Sequence, residues 1–265
     1  MKPAPFAYET PRSVDAALAV LGEDAKALAG GQSLVPLLNF RLARPATVVD
    51  LNGIAELAYL RRAGGVLHVG ALTRQATLER SGLVARGWPL LAQAVRHVGH
   101  PAIRSRGTVG GSVAHADPAA ELPVALAALD ARFRLRSARG ERTLGWREFF
   151  VGALTTALEP DELLVEIEVP PPPAGARTAF VEHARTHGDF AIAGAAVVRA
   201  GREHAAIALL GAGSTPVRAA DAERALLAGA SAAEAAALAG AHVEDGPRRA
   251  LLTELVRQAI EEAPA

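Results

Sequence analysis

Two glycine-paired segments, Ala29-Gly30-Gly31-Gln32-Ser33-Leu34-Val35-Pro36 and Thr108-Val109-Gly110-Gly111-Ser112-Val113-Ala114-His115, constrain this chain more than any other feature. Glycine admits positive φ and lets another group approach the main chain closely. In each segment a hydroxyl stands beside the glycines and apolar residues flank them. The first reads as a strand ending in a bend, with Ser33 placed to cap a short helix through Leu34, Leu37 and Leu38. Exposed N–H groups at such a bend, helped by the helix dipole, bind anions. The Ser33 hydroxyl adds a donor for a phosphate oxygen. Thr108 and Ser112 give the second segment the same grammar, without the lysine of a Walker loop and without a G-x-G-x-x-G spacing. A tight turn or a glycine bulge in a strand explains either segment alone. Together they point to a large ligand gripped twice by bare main-chain amides, as a dinucleotide diphosphate would be. On this reading Gly110→Val fills phosphate space and abolishes ligand retention while the chain still folds.

Composition narrows the field. Lys+Arg and Asp+Glu are both 28, with no run of like charge, which excludes a nucleic-acid binder. Cysteine is absent, so the chain carries no disulfide, catalytic thiol or thiolate-held iron–sulfur cluster. No apolar stretch reaches the roughly 20 residues of a membrane span, and Met1 to Phe6 lack a signal-peptide core. The expectation is a soluble cytoplasmic protein without a transmembrane segment, peripheral attachment at the inner membrane face being left open.

Along the chain, Ser13 is placed to cap a helix with Val14, Ala17, Leu18 and Leu21 on one face. Lys26–Ala29 and Thr47–Leu51 read as strands, and Gly64-Gly65 as the turn of a hairpin. Trp88–Val98 has helical periodicity; Gly99–Gly107 reads as irregular. Asp117 at the N-cap and Pro118 at the first helical position predict a helix through Leu129, with Glu121 one turn in and facing the second glycine pair. Phe133–Arg136 and Leu163–Val169 alternate as strands do. Pro170 to Gly175 reads as a linker, dividing the chain into 1–172 and 173–265. Beyond it come strands near Ala179–His183, Phe190–Arg199 and Ala205–Leu210. Helices follow near Val217–Leu227, Ala232–Ala239 and Arg248–Glu262. Gly211 to Pro216 looks like a truncated dinucleotide fingerprint but lacks its third glycine, and is read as a turn with Pro216 opening a helix. The pairs His97/His100 and His183/His187 have no acidic or cysteine partner, so no metal site is expected. His115 is placed to contact a sugar or phosphate.

Ala29 to Pro45 followed by Val48-Val49-Asp50-Leu51-Asn52 resembles the FAD-binding medium subunit of aerobic carbon monoxide dehydrogenases and, more widely, the FAD subunits of molybdenum hydroxylases including xanthine dehydrogenase. Pro101 to Arg104, Gly107 to Ser112, Ala114 to Pro123, Gly188-Asp189-Phe190-Ala191 and Gly211 to Pro216 match that group in order, over nearly the whole chain. The resemblance implies an α+β fold: a PCMH-type FAD-binding domain of two α+β subdomains over 1–172, then a small antiparallel sheet with helices over 173–265. It implies that Ala29, Gly30, Gly31, Gln32, Ser33 and Leu34, with Thr108, Val109, Gly110, Gly111 and Ser112, hold the FAD pyrophosphate and adjoining sugar. Ala102 would lie beside the flavin, Glu121 would contact the sugar chain, and Asp189 and Phe190 would sit near the ring. Two departures stand out: Glu182 occupies a place where the family often has lysine, and Val243–Arg249 is shorter than usual.

The implied activity is that of an electron-transfer flavoprotein subunit. A molybdenum-cofactor large subunit would oxidise the substrate, and a [2Fe-2S] small subunit would pass electrons to FAD on this chain for delivery to an external acceptor. The assembly would be a dimer of heterotrimers. The missing cysteines fit, because the relay clusters must then sit on a partner. Two alternatives remain: a standalone flavin oxidoreductase of the same fold, and an assembly scaffold that has lost FAD. Neither the oxidised substrate nor the acceptor is legible.

Overall fold

The computed structural model describes residues 2–264. Its first layer is a three-stranded parallel sheet of β1 (Ala7–Glu9), β2 (Ala25–Leu28) and β3 (Thr47–Asp50), in the order β1-β3-β2. Two short helices connect it, α1 (Val14–Leu18) and α2 (Leu34–Asn39). Ser13 caps α1 as expected, its Oγ accepting from Ala16 N at 3.2 Å. Ser33 does not cap α2: its backbone is already helical (φ −104°, ψ −48°), a geometry that turns the side chain away from the first-turn amides.

The second unit begins with the hairpin β4 (Leu60–Ala63) and β5 (Val66–Gly70), turned by Gly64 and Gly65 at φ +57° and +85°. Six helices follow: α3 (Gln75–Arg80), α4 (Gly82–Gly87), α5 (Pro89–Val95), α6 (Pro101–Arg106), α7 (Val109–His115) and α8 (Glu121–Ala128). After them come β6 (Arg132–Ser137), β7 (Gly140–Gly145), α9 (Trp146–Phe149), the small pair β8 (Phe150–Gly152) and β9 (Thr155–Thr156), and β10 (Leu163–Val169). The sheet is antiparallel in the order β4-β5-β10-β6-β7, so the last strand closes between the first hairpin and the second. Every residue of α8 is buried, in keeping with its lack of a polar face.

Three expectations fail here. Gly99–Gly107 is not irregular, since α6 occupies most of it. The helix expected from Asp117 begins only at Glu121: Ala120 is extended (φ −84°, ψ 135°), and Asp117 instead closes a local turn by accepting from Ala119 N at 2.8 Å. Glu121 is therefore the first residue of its helix and not one turn in.

Pro170–Gly175 crosses beneath Trp88, whose Nε1 donates to the carbonyls of Val169 and Pro170. Beyond lies an antiparallel sheet in sequence order: β11 (Arg177–His183), β12 (Ala193–Ala200), β13 (His204–Leu210) and β14 (Val217–Arg218). The helices α10 (Ala220–Leu227), α11 (Ala232–Gly240) and α12 (Gly246–Glu262) complete the chain. Pro216 opens β14 rather than a helix. Both faces of this sheet are covered, which explains its near-continuous apolar strands. Phe180, Ala196, Val198, Ala206 and Ala208 join the core formed with α5 and α8, while Ala195, Val197, Ile207 and Leu209 pack against α10–α12. Among the described residues no helix is long and apolar enough to cross a membrane.

Candidate cofactor site

The two glycine bends, far apart in sequence, form one wall. A Cβ on Gly30 would come within 2.5 Å of Arg106 O and 2.7 Å of Gly107 Cα, so the first bend lies directly on the approach to α7. A Cβ on Gly111 would stand 3.5 Å from that of Ala29. Arg74 stitches the bends together: it donates to Asn52 Oδ1 at 2.6 Å and to Arg106 O, while Asn52 Nδ2 donates to Ala29 O at 2.8 Å. Asp50 anchors this group, accepting from Asn52 and, at 2.6 Å, from the Tyr8 hydroxyl. Burial pushes the Asp50 carboxyl up, but these hydrogen bonds and the Arg74 charge outweigh it and hold it below the usual range. Burial and the neighbouring Arg106 lower the Arg74 guanidinium.

The amides of the two bends differ. Gly31 takes φ +74°, and among the described residues the N–H groups of Gly30, Gly31, Gln32 and Ser33 have no acceptor. Four successive free amides at a half-exposed bend are donors available to an anion. The second bend is not bare. Val109 N donates to Thr73 O and Gly110 N to Ala71 O, both at 2.9 Å. Gly111 N donates to Thr108 Oγ1 at 3.1 Å, and Ser112 N to Thr108 O. Thr108, Val109 and Gly110 are buried. The expectation of naked amides at both bends is thus corrected: the free donors belong to the first, and the second is a close-packed backing in which Gly111 and Ser112 are half-buried. Gly110 is required by the protein itself, since a Cβ there would lie 2.6 Å from Ala71 O.

The other expected residues lie on α6, α7 and α8 and in the turn between β11 and β12. Ala102 lies exposed in the first turn of α6. Asp189 and Phe190 occupy the turn between β11 and β12, and Phe190 is 76% exposed. That turn is tied to the start of α6: a Cβ on Gly188, at φ +86°, would meet the His100 ring at 2.5 Å. The His100 and His187 rings lie 6.1 Å apart. His115 ends α7, half-buried. Glu121 is buried at the start of α8, and burial pushes its carboxyl up to about 7; its own backbone N–H and then His97 oppose the shift, while Glu182 and Asp117 add to it. Asp117 is spent on its local turn.

The profile of the family described as FAD binding domain in molybdopterin dehydrogenase matches residues 4–172. The alpha subunit of the 6-hydroxypseudooxynicotine dehydrogenase complex of Paenarthrobacter nicotinovorans is 46% identical over 235 residues, covering 86% of this chain and 79% of that one. The carbon monoxide dehydrogenase medium chain of Hydrogenophaga pseudoflava is 41% identical over 201 residues, 75% of this chain and 70% of the other. A solved carbon monoxide dehydrogenase from the same organism superposes with a TM-score of 0.93 at 38% identity, over 99% of this chain and 98% of its own. The chain belongs to the FAD-binding subunits of the molybdenum hydroxylases.

In this FAD subunit the residues suit the cofactor: free amides for an anionic diphosphate, an exposed aromatic for a ring, and a buried carboxyl that can accept from hydroxyls. Sequence reasoning missed Arg74 and gave Asn52 no role beyond the resemblance. The signal for Asn52 was local, an Asx turn in which Asp50 accepts from Asn52 N at 2.9 Å; for Arg74 there was none, because its partners come from distant segments. Arg104 likewise had no role beyond the resemblance; it is buried and joins Glu79 to the carbonyls of Val98 and Gly99, holding α6 in place. Asn52→Ala removes the bonds to Ala29 O and from Arg74. It is expected to weaken FAD binding about tenfold, from a loss of about 1–1.5 kcal/mol, which fluorescence titration of the apo-chain with FAD will read.

Proposed function

We propose that this chain carries FAD between an iron–sulfur relay on a partner and an external electron acceptor. The observation that carries the reading is the run of four free amides at Gly30–Ser33; the exposed Phe190 and Ala102 offer surfaces for the ring. Bound FAD supplies a carrier that takes electrons singly and releases them in pairs. The chain's own residues hold it: Gly30 to Ser33 bind the diphosphate, with Ala29, Leu34, Gly111 and Ser112 as walls. Glu121 accepts from the sugar chain, and Phe190 and Ala102 flank the ring. With no cysteine here, a [2Fe-2S] small subunit and a molybdenum-cofactor large subunit complete the enzyme as a cytoplasmic dimer of heterotrimers. The division of the chain at 172/173 belongs to the same reading, the first part holding the cofactor and the second covering the α5–α8 side.

This subunit does not choose the substrate. Relatives 40–47% identical to it are named for complexes acting on caffeine, nicotine and carbon monoxide, two nitrogen heterocycles and a diatomic gas. The test is co-purification from the native host with an affinity tag. Flavin absorption together with molybdenum and iron in the eluted complex is expected, and the chain alone is expected to turn over no organic substrate. A yellow chain that elutes free of both metals would overturn the subunit reading; a colourless one would overturn the flavin reading.

A further inference from the structure

Two of the non-glycine residues at positive φ hold each other. Ala116, at the C-terminus of α7, takes φ +50° and ψ +41°, and Leu154, at the tip of the β8–β9 hairpin, takes φ +55°. Leu154 N donates to Ala116 O at 2.9 Å. Glycine enters this region freely, a leucine only at a cost, because its Cβ crowds the following carbonyl oxygen. Ala116 has a packing reason to be there: it is 4% exposed and belongs to the large core. Leu154 has none. Its side chain is 59% exposed and joins no apolar cluster among the described residues. Nor is the tip loose. Phe150, at the root of the hairpin, is buried against Phe133 and Phe149, with ring centroids 5.5 and 5.1 Å away, and Ala157 N donates to Phe149 O at 2.9 Å. Thr155 Oγ1 closes the tip by donating to Ala153 O at 3.0 Å. A strained and rigid backbone that presents an exposed apolar side chain points to a contact made outside the chain.

The place of the hairpin says which contact. Gly111 turns its face of α7 to the first bend, where a Cβ on it would stand 3.5 Å from that of Ala29. His115 lies one helical turn on, along the same face. Ala116 follows it and carries Leu154 on its carbonyl. The tip is thus pinned at the far end of the helix whose start backs the first bend. We propose that Leu154 is a contact residue for the flavin end of bound FAD, its backbone strained in order to lay the side chain against the ring. A leucine offers an apolar surface, which suits a flat ring and not a phosphate or a sugar hydroxyl. The flavin is the ring on this side because Glu121, just beyond Ala116 in the chain, faces the sugar chain in the function proposed above, on which this inference rests.

The full apo-chain and its Leu154→Gly variant are compared by thermal unfolding and by calorimetric titration with FAD and with ADP, which carries the diphosphate without the flavin. Glycine relieves the strain, so the Tm of the variant should equal or exceed that of the wild type. Its FAD affinity should fall about tenfold, as expected for withdrawing part of a leucine side chain from a ligand, and its ADP affinity should not change. Val151→Asn is the control: the side chain is 62% exposed on the same hairpin but at ordinary φ, and both affinities should stay as they are. A lower Tm in Leu154→Gly would make the leucine part of the fold and overturn the contact. So would an equal loss for ADP, or an equal loss in Val151→Asn. A wild-type chain that binds neither ligand refutes the function proposed above together with the contact, whereas a wild type that binds FAD no better than Leu154→Gly refutes the contact alone.

Discussion

The Gly110→Val chain is expected to be destabilised by about 3 kcal/mol, before any question of flavin arises. The position is buried in the first turn of α7, and a Cβ there would meet Ala71 Cβ and O at 2.6 Å and its Cα at 2.7 Å. Two of those atoms are main chain, so no rotamer change relieves the clash. Nor can the helix back away: Gly110 N is bonded to Ala71 O and Val109 N to Thr73 O, which pins α7 to the segment after β5. Valine adds a Cβ and two methyl groups where even the Cβ alone does not fit. For a chain of this size a loss of about 3 kcal/mol lowers Tm by roughly 10 °C. Thermal unfolding of the apo-chain, where FAD contributes nothing, will show it. A melting point equal to the wild type's would mean that the contact between α7 and Ala71 is not as described.

That result is the reverse of what the sequence implies, and the reason is general. A glycine's neighbours in sequence say that something approaches the backbone closely, but not whether it is a ligand or the protein. At Gly64-Gly65 the distinction is immaterial, because a hairpin between alternating strands is complete within about ten residues. The same locality made Ser13 and the apolar run of β12 legible, each depending on neighbours or on a strand's two-residue period. What escaped was decided at a distance. α6 forms although Pro101–Arg106 has little apolar periodicity, because Arg104 reaches across to Glu79 and to three carbonyls. The second bend lost its free amides to Thr73 and Ala71. Asp117 and Pro118 imitate a helix start, but the turn they make is stable without one. The wall uniting the two bends depends on Asn52 and Arg74, residues whose types carry no cofactor signature.

Gly31→Val should give a folded chain that purifies without flavin. Here the constraint is conformational: φ is +74°, where a non-glycine residue loses about 1–2 kcal/mol and a β-branched one more. The space itself is forgiving, since the nearest atoms to a new Cβ are the side-chain ends Val35 Cγ2 at 3.2 Å and Leu28 Cδ1 at 3.4 Å. The bend is half-exposed and outside every strand and helix, so it can relieve the strain by turning a peptide without disturbing the core. On the proposed diphosphate seat, that turn redirects the Gly31 and Gln32 amides away from the ligand. A hydrogen bond to a charged group contributes about 1.5–3 kcal/mol, so losing two weakens FAD binding by roughly 100-fold or more. Far-UV circular dichroism should match the wild type while fluorescence titration shows the loss. Gly31→Ala, strained but unbranched, should fall between. Stoichiometric flavin in the valine variant would place the diphosphate elsewhere, and the four free amides of this bend would then need another anion.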